Sequence, residues 1–181
     1  MIEVSRLTCS FRVSLVVWLC LIGSLQQSAY AKSAKRTQIY SAVVTRVVDG
    51  DTVWIRTLHS TKITKVRIVG IDAPEACQSG GRASSDALYH RLMGQSVTVS
   101  ASTSRSRDVY GRLLAKVDLR GEDIGHWMVL NGYAWSYSYR RKPGPYAVEQ
   151  SQAVAARRGL FNEARAENPR LFRKRHGSCY S

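Results

Sequence analysis

Three short segments of the sequence contain the side chains best suited to chemistry. They are residues 49–52 (Asp-Gly-Asp-Thr), 67–75 (Arg-Ile-Val-Gly-Ile-Asp-Ala-Pro-Glu) and 110–112 (Tyr-Gly-Arg). Carboxylates, together with carbonyl and water oxygens, bind hard cations, and guanidinium groups bind phosphate oxygens in pairs. A cation, a carboxylate and two arginines are what phosphodiester hydrolysis requires, because its transition state spreads extra negative charge over the phosphate oxygens.

The carboxylates lie where two predicted strands begin and end. Asp51 opens one strand, and Asp72 and Glu75 follow the next, three residues apart, with Pro74 stiffening the exit. If the strands pair, Asp51 and Asp72 approach each other and offer oxygens to a hard cation. Calcium suits such a flexible, partly hydrated site better than magnesium, and the sequence has no histidine or cysteine cluster suited to zinc or iron. Taken alone, residues 49–52 also fit a tight turn.

Two arginines accompany these carboxylates. Arg67 lies within an apolar strand, where alternation puts it on one face with Val69 and Ile71. An arginine in such a run must find an anion, which is either a phosphate or a barrel carboxylate in a salt bridge. Arg112 follows a predicted turn at 108–111, where it either binds phosphate or ends a hairpin as a surface charge.

Hydrophobic periodicity predicts the elements that position these residues. Five strands are expected over residues 39–48, 52–58, 63–71, 96–100 and 112–119, the first three forming a meander. Three helices are expected over residues 82–93, 122–131 and 146–158. Together they predict a β-barrel plus helices (α+β): a five-stranded Greek-key barrel of the oligonucleotide-binding (OB-fold) kind with about three helices.

In order and approximate spacing, the three segments resemble those of the staphylococcal nuclease (thermonuclease) family. The resemblance runs from about residue 39 to about residue 161. One such motif is weak evidence, whereas three in order on a basic, β-rich chain are specific. The resemblance implies an OB-fold endonuclease that hydrolyses DNA and RNA with little sequence specificity and leaves 3′-phosphates.

The resemblance also implies which groups bind the metal and activate water. Asp51 and Asp72 would bind Ca²⁺ with the Ala73 carbonyl as a third ligand. Glu75 would act as general base or orient the attacking water. The loop after Glu75 is shorter here than in the best-known family member, which bears on substrate affinity and on the pattern of products.

The same resemblance implies contacts to the substrate. Arg67 and Arg112 would hold the phosphate and stabilise the transition state, and Tyr110 would lie near a terminal phosphate. Tyr137 and Tyr139 would stack on a base, although both also fit ordinary strand or core aromatics.

The N-terminal region predicts export. Basic residues, an apolar run at 13–22 and a small-residue Ala-Tyr-Ala site ending at Ala31 are the parts of a secretory signal peptide. We expect residues 1–31 to be removed, residues 32–38 to form a polar linker, and the protein to be secreted or periplasmic. The alternative is an uncleaved anchor helix, but the apolar run is short for a membrane span.

Charge favours a polyanionic partner. The chain has a formal net charge of +14, and losing Glu3, Arg6 and Arg12 with residues 1–31 would leave +13. Such a field attracts nucleic acids, anionic membranes or acidic polymers. We expect DNA and RNA as partners, no stable membrane anchor after cleavage, and a monomer.

Cleavage would leave two of the four cysteines, Cys77 and Cys179. In an oxidising compartment they form either a disulfide or two free thiols. A disulfide would fold residues 173–176 back toward the mouth of the barrel and tether the loop after Glu75.

We expect a nuclease domain over residues 39–165 followed by a basic tail over 166–181, and two other functional classes are alternatives to it. A non-catalytic OB-fold nucleic-acid-binding protein has the same fold, but it would be expected to lose the acidic and arginine positions that this chain keeps. A basic cell-envelope protein held by anionic surfaces would leave the three segments unexplained.

Overall fold

The computed structural model describes residues 36–179 apart from residues 59, 105, 141 and 163–165. The predicted signal peptide and most of the predicted linker lie outside the described residues. Within the described part, no helix is long and apolar enough to cross a membrane.

Of the eight strands within the described residues, five close into a barrel, which confirms the predicted fold. The strands, in chain order, are β1 (Thr37–Val47), β2 (Thr52–Thr57), β3 (Ile63–Ile68), β4 (Ile71–Asp72), β5 (Ser96–Ser102), β6 (Leu113–Leu119), β7 (Glu122–Asp123) and β8 (Trp135–Ser136). Neighbours in the barrel run β3-β2-β1-β5-β6, and a parallel pairing of β3 with β6 closes it. The short strand β7 extends β6, while β4 pairs with β8 in a separate two-stranded sheet.

The core fills the inside of this barrel because β-branched residues alternate along each strand. The largest fully buried side chains are Val44, Val53, Ile55, Val66, Ile68, Ile71, Leu88, Leu92, Val99, Val117, Ile124 and Met128. Leu88 and Leu92 come from the helix that follows the second acidic segment, so packing of that helix also fixes the loop that carries Glu75.

Four α-helices within the described residues surround the barrel: α1 (Gly81–Leu92), α2 (Ile124–Leu130), α3 (Ala147–Ala155) and α4 (Pro169–His176). The predicted helix over 146–158 ends at Ala155, and a 3₁₀ turn follows at Gly159–Asn162. Helix α4 lies within the predicted basic tail, for which no helix was expected. Asn168 caps it by accepting a hydrogen bond from the Arg170 N–H, and Pro169 occupies its first turn.

The predicted strand over 63–71 is also corrected, because the chain turns at Val69–Gly70. Gly70 has φ +84°, and a Cβ there would lie 2.8 Å from Pro145 and 2.9 Å from Tyr146. The chain resumes as β4, so the expected common face of Arg67, Val69 and Ile71 is wrong: Ile71 is fully buried, whereas Arg67 is partly exposed. After the turn, Asp72 lies near Asp51, at the start of β2, and both contact Arg67.

Candidate functional site

Arg67 joins the two acidic segments at the end of the barrel. Antiparallel pairing sets Thr52 opposite Arg67, which brings the preceding Asp51 next to the guanidinium group. Arg67 Nη1 forms an ion pair with Asp51 Oδ2, and Nη2 lies 3.2 Å from Asp72 Oδ1. Burial works to lower the pKa of Arg67, but the charges and hydrogen bonds of Asp51 and Asp72 outweigh it and raise that pKa. Arg67 is therefore a permanent cation between two buried carboxylates.

The turn before β2 concentrates negative charge. Asp49 Oδ1 accepts a hydrogen bond from the Asp51 N–H at 2.9 Å, and burial together with the charge of Asp51 raises the pKa of Asp49 to about 7. Gly50 allows this turn to press against α1, since a Cβ there would lie 1.9 Å from Ser84 Oγ. Asp51 Oδ2 also accepts the Ala73 N–H at 3.4 Å, which links the two acidic segments directly.

Arg112 reaches the same end of the barrel from the turn before β6. Its Nε donates to Asp108 Oδ2 at 2.8 Å, and its Nη1 donates to Thr52 Oγ1 at 3.1 Å. Thr52 Oγ1 in turn donates to Asp51 Oδ1 at 2.8 Å. Burial works against the charge of Asp108, but its hydrogen bonds from Arg112 and from backbone amides lower its pKa. Thr52 thus connects the two predicted phosphate-binding arginines through the acidic cluster.

A third arginine, which the sequence analysis did not assign, occupies the site. Arg173 of α4 donates to Glu75 Oε1 at 2.9 Å and to Asp72 Oδ2 at 3.0 Å. Burial opposes its charge, yet the hydrogen bonds that Arg173 donates to Asp72 and Glu75 raise the pKa of Arg173. The one sequence signal for this contact was the expectation that a disulfide would turn residues 173–176 toward the barrel mouth.

Two connections hold α4 beside the acidic loop. Cys77 and Cys179 form a disulfide, with their Cα atoms 5.8 Å apart. Gln78, which is buried, accepts the Glu75 N–H at 3.2 Å through its side-chain oxygen and donates to the Glu167 carbonyl at 2.7 Å. Gln78 is a second residue that sequence reasoning missed, because a lone glutamine after a turn carries no recognisable pattern.

The three predicted substrate-binding tyrosines all lie at the surface. Tyr110, Tyr137 and Tyr139 are 79%, 40% and 58% exposed, so none is a core aromatic. The Arg112 guanidinium lies 5.4 Å from the centre of the Tyr110 ring. The Tyr137 N–H donates to the Gly70 carbonyl at 2.9 Å, which places it beside the turn that leads to Asp72. Tyr139 has a neighbouring cation, Arg140, over its ring.

The acidic residues fit a hard cation by their chemistry. Among the described residues, no group of three or more His, Cys, Asp or Glu side chains is arranged to hold a metal ion. Asp51 and Asp72 are nevertheless buried oxygen donors, and Asp51 contacts the Ala73 backbone. A cationic side chain, Arg173, contacts both carboxylate oxygens of Asp72. The donor set therefore suits a divalent ion completed by water and backbone oxygens.

A closed five-stranded barrel with carboxylates and arginines gathered at one end defines a small class of OB-fold proteins with a polar site at the barrel mouth. Comparison with known proteins narrows this class. The family model described as staphylococcal nuclease homologue matches residues 65–163. The chain therefore belongs to the staphylococcal nuclease family.

Individual relatives agree with this assignment. An uncharacterized endonuclease of Escherichia coli is 38% identical over 133 residues, covering 73% of this chain and 84% of that protein. A micrococcal nuclease of Shigella flexneri is 31% identical, covering 72% of this chain and 79% of that protein. An uncharacterized endonuclease of Haemophilus influenzae is 31% identical, covering 72% and 71%.

Proposed function

We propose that this protein is an exported, calcium-dependent endonuclease that hydrolyses the phosphodiester backbone of DNA and RNA. The observation that carries the proposal is the linked cluster in which Arg67 contacts Asp51 and Asp72 while Arg112 is joined to the same cluster through Thr52. Relatives named endonuclease and micrococcal nuclease support the same activity.

In this proposal, Asp51, Asp72 and the Ala73 carbonyl hold the calcium ion. When bound, the ion neutralises charge on the phosphate and lowers the barrier to attack. Glu75 orients or deprotonates the attacking water, and Arg173 binds one of its two carboxylate oxygens, Oε1.

The two linked arginines act on the phosphate. Arg67 and Arg112 present fixed guanidinium groups at the barrel mouth, and such groups bind the oxygens of a phosphate in pairs. Because they carry charge before the reaction starts, they stabilise the additional negative charge of the transition state without reorganisation. By resemblance to the family, the products carry 3′-phosphates.

The proposed substrate is nucleic acid of any sequence. Arg67 and Arg112 contact phosphate, which carries no direct sequence information. Tyr110, Tyr137 and Tyr139 are exposed at the surface, where bases splayed out of a single strand or a breathing duplex could stack. We therefore expect single-stranded substrate to be cut faster than stable duplex.

Incubating the purified protein with plasmid DNA and with RNA, in calcium and in excess chelator, tests the activity. We expect cleavage of both polymers only with calcium. Binding without cleavage under all conditions would instead indicate a non-catalytic OB-fold protein. Full cleavage in chelator would contradict the metal assignment while leaving the nuclease assignment intact.

Export is a separate part of the proposal. The apolar run and the Ala-Tyr-Ala site support cleavage after Ala31, which gives a monomeric secreted or periplasmic protein without a membrane anchor. N-terminal sequencing of protein from the envelope and the medium should find Lys32 first. Recovery of exported protein that still begins at Met1 would show that the signal is not cleaved.

A further inference from the structure

Trp54 lies on the outer face of the barrel, next to the candidate site. Side chains alternate along a strand, so Trp54 shares with Thr52 the face opposite the buried Val53. Strand pairing sets Thr52 opposite Arg67 and Trp54 opposite Lys65. We call each such set of residues opposite one another on neighbouring strands a row. The row with Trp54 and Lys65 lies next to the row with Thr52 and Arg67, roughly 7 Å away along the strands.

A β-bulge brings a second cation to this row. Val44 pairs with Ile55, but the next pair is Arg46 with Trp54, so Thr45 is the extra residue in β1. Without the bulge, Thr45 would stand opposite Trp54. Bulges are common beside active sites, where they change the direction of a side chain. Here the bulge exchanges a threonine for an arginine beside the indole ring.

Both cations lie over the tryptophan ring. The Arg46 guanidinium carbon is 4.9 Å, and the Lys65 ammonium nitrogen 5.3 Å, from the ring centre. Trp54 is half-buried, whereas Arg46 and Lys65 are exposed. The indole ring is therefore partly accessible to solvent, and two positively charged side chains lie next to it at the protein surface.

The surrounding surface is positive. Strands β1, β2 and β3 contain Arg46, Arg56, Lys65 and Arg67 and no aspartate or glutamate. Within the residues that the structure describes, neither Arg46 nor Lys65 forms an ion pair with a carboxylate. These two charges are therefore available to an anionic partner, unlike Arg67, which the acidic cluster holds.

We propose that Arg46, Trp54 and Lys65 form a binding subsite for single-stranded nucleic acid that continues from the phosphate at Arg67. A base of the flanking strand stacks on the Trp54 indole and displaces an exposed cation from over the ring. Arg46 and Lys65 then neutralise the phosphates on either side of that base. An aromatic ring with adjacent cations is the usual means of holding a single strand without reading its sequence.

This inference rests on the proposed nuclease function, because its occupant is the substrate strand. Continuity supports that occupant: a strand whose phosphate lies between Arg67 and Arg112 can follow the outer face of β2 and β3 directly onto the neighbouring row. Charge complementarity also supports a nucleic-acid strand as the occupant, since every charged side chain of β1, β2 and β3 is cationic and the phosphates are anionic.

The subsite is tested by binding, with cleavage prevented by chelator. Fluorescence anisotropy would measure the affinity of a single-stranded oligonucleotide of about twelve nucleotides for wild type, Trp54→Ala and Trp54→Phe. We expect Trp54→Ala to weaken binding roughly tenfold or more, since stacking of one base contributes about 1–3 kcal/mol. Trp54→Phe should retain most of the affinity because it keeps an aromatic ring.

The charges are tested by salt dependence. The double variant Arg46→Gln, Lys65→Gln should reduce the slope of log affinity against log salt concentration by about 1.4, because each phosphate contact on a single strand contributes about 0.7. Arg120→Gln is the matched control: Arg120 is exposed at the other end of β6 from Arg112, so its removal should leave the slope unchanged.

The outcomes separate the subsite from the activity. Equal affinities of Trp54→Ala and wild type, with only a lower melting temperature, would mean that Trp54 and its cations merely stabilise the sheet, and the subsite would be wrong. An equal loss in Trp54→Phe and Trp54→Ala would also overturn stacking. Wild type that cuts no nucleic acid when calcium is present contradicts the nuclease proposal itself. Wild type that cuts with calcium, while these variants bind the oligonucleotide as wild type does, contradicts only the subsite.

Discussion

Arg173 and Glu75 are joined by a 2.9 Å hydrogen bond between residues that lie 98 positions apart in the chain. The same guanidinium group holds both oxygens of Asp72. One side chain from the last helix therefore engages the carboxylate proposed to activate water and a carboxylate proposed to bind calcium. Any cation that binds Asp72 from outside has to compete with Arg173.

The first prediction follows from that competition. Arg173→Ala should lower the calcium concentration needed for half-saturation by roughly three- to tenfold, because about 1.4 kcal/mol corresponds to tenfold in a binding constant. Isothermal titration calorimetry without substrate measures it. Lys174→Ala, an exposed neighbour on the same helix, is the control and should bind calcium like wild type. Weaker calcium binding by Arg173→Ala would show instead that Arg173 holds Asp72 in a binding position.

The second prediction concerns catalysis. Arg67→Ala, Glu75→Ala and Arg112→Ala should each lower kcat by about 10²–10³, since removing one preorganised charge stabiliser typically has this effect. Circular dichroism should show that the fold persists. Asp51→Ala should slow the reaction and also raise the calcium requirement. A Glu75→Ala variant with nearly wild-type kcat would contradict its assignment as the water-activating group.

The third prediction concerns the disulfide between Cys77 and Cys179, which closes a loop across 102 positions. Replacing both cysteines with serine should lower the free energy of unfolding by up to about 4–5 kcal/mol, the limit from chain entropy for a loop of this length. Urea denaturation measures the difference, and wild type treated with a dithiol reductant should match the variant. Two thiols that alkylate freely in protein recovered from the envelope would show that the bond does not form there.

The fourth prediction is a pH dependence at Asp123, away from the site. Asp123 caps α2 by accepting the Gly125 and His126 N–H groups, and it also binds Lys116 and the Tyr146 hydroxyl. Burial works against its charge, but these hydrogen bonds lower the pKa of Asp123.

A lowered pKa in the folded state means that ionised Asp123 stabilises the fold above the unfolded-state value, near pH 4, and that this contribution is lost as pH falls. Asp123→Ala should therefore cost about 2–3 kcal/mol at pH 7 and clearly less at pH 3. Asp123→Asn, which keeps a capping oxygen, should cost less than Asp123→Ala. Denaturation curves at both pH values check this, and a cost that does not change with pH would contradict the assignment.

The barrel could be predicted because its strands are patterned locally. Alternating β-branched residues and intervening turns indicated all five barrel strands, and the order of strands and helices indicated a Greek-key barrel. The break at Gly70 could not be predicted in this way, because it depends on Pro145 and Tyr146, which approach from a distant part of the chain. The Asn168-Pro169 pair at the start of helix α4 is a recognisable helix-start signal, but the dense positive charge that follows is typical of an exposed tail.

For the candidate site, sequence patterns indicated the residues that the structure brings together at the barrel mouth: Asp51, Arg67, Asp72 and Arg112. They did not indicate Arg173, since nothing in a run of basic residues distinguishes the one that contacts carboxylates. They also did not indicate the Arg46–Trp54 pair, because a bulge changes which residue stands opposite Trp54 and is visible only in the pairing of strands.

The parallel pairing of β3 with β6 has a consequence for refolding experiments. It joins Val66 to Leu113 and Arg67 to Leu114, so the contact that closes the barrel also sets Arg67 beside the strand that begins after Arg112. A chain with four strands paired and this seam open would contain much of the secondary structure but would lack aligned arginines. During refolding, the return of catalytic activity should therefore follow closure of this seam, whereas far-ultraviolet circular dichroism would recover earlier.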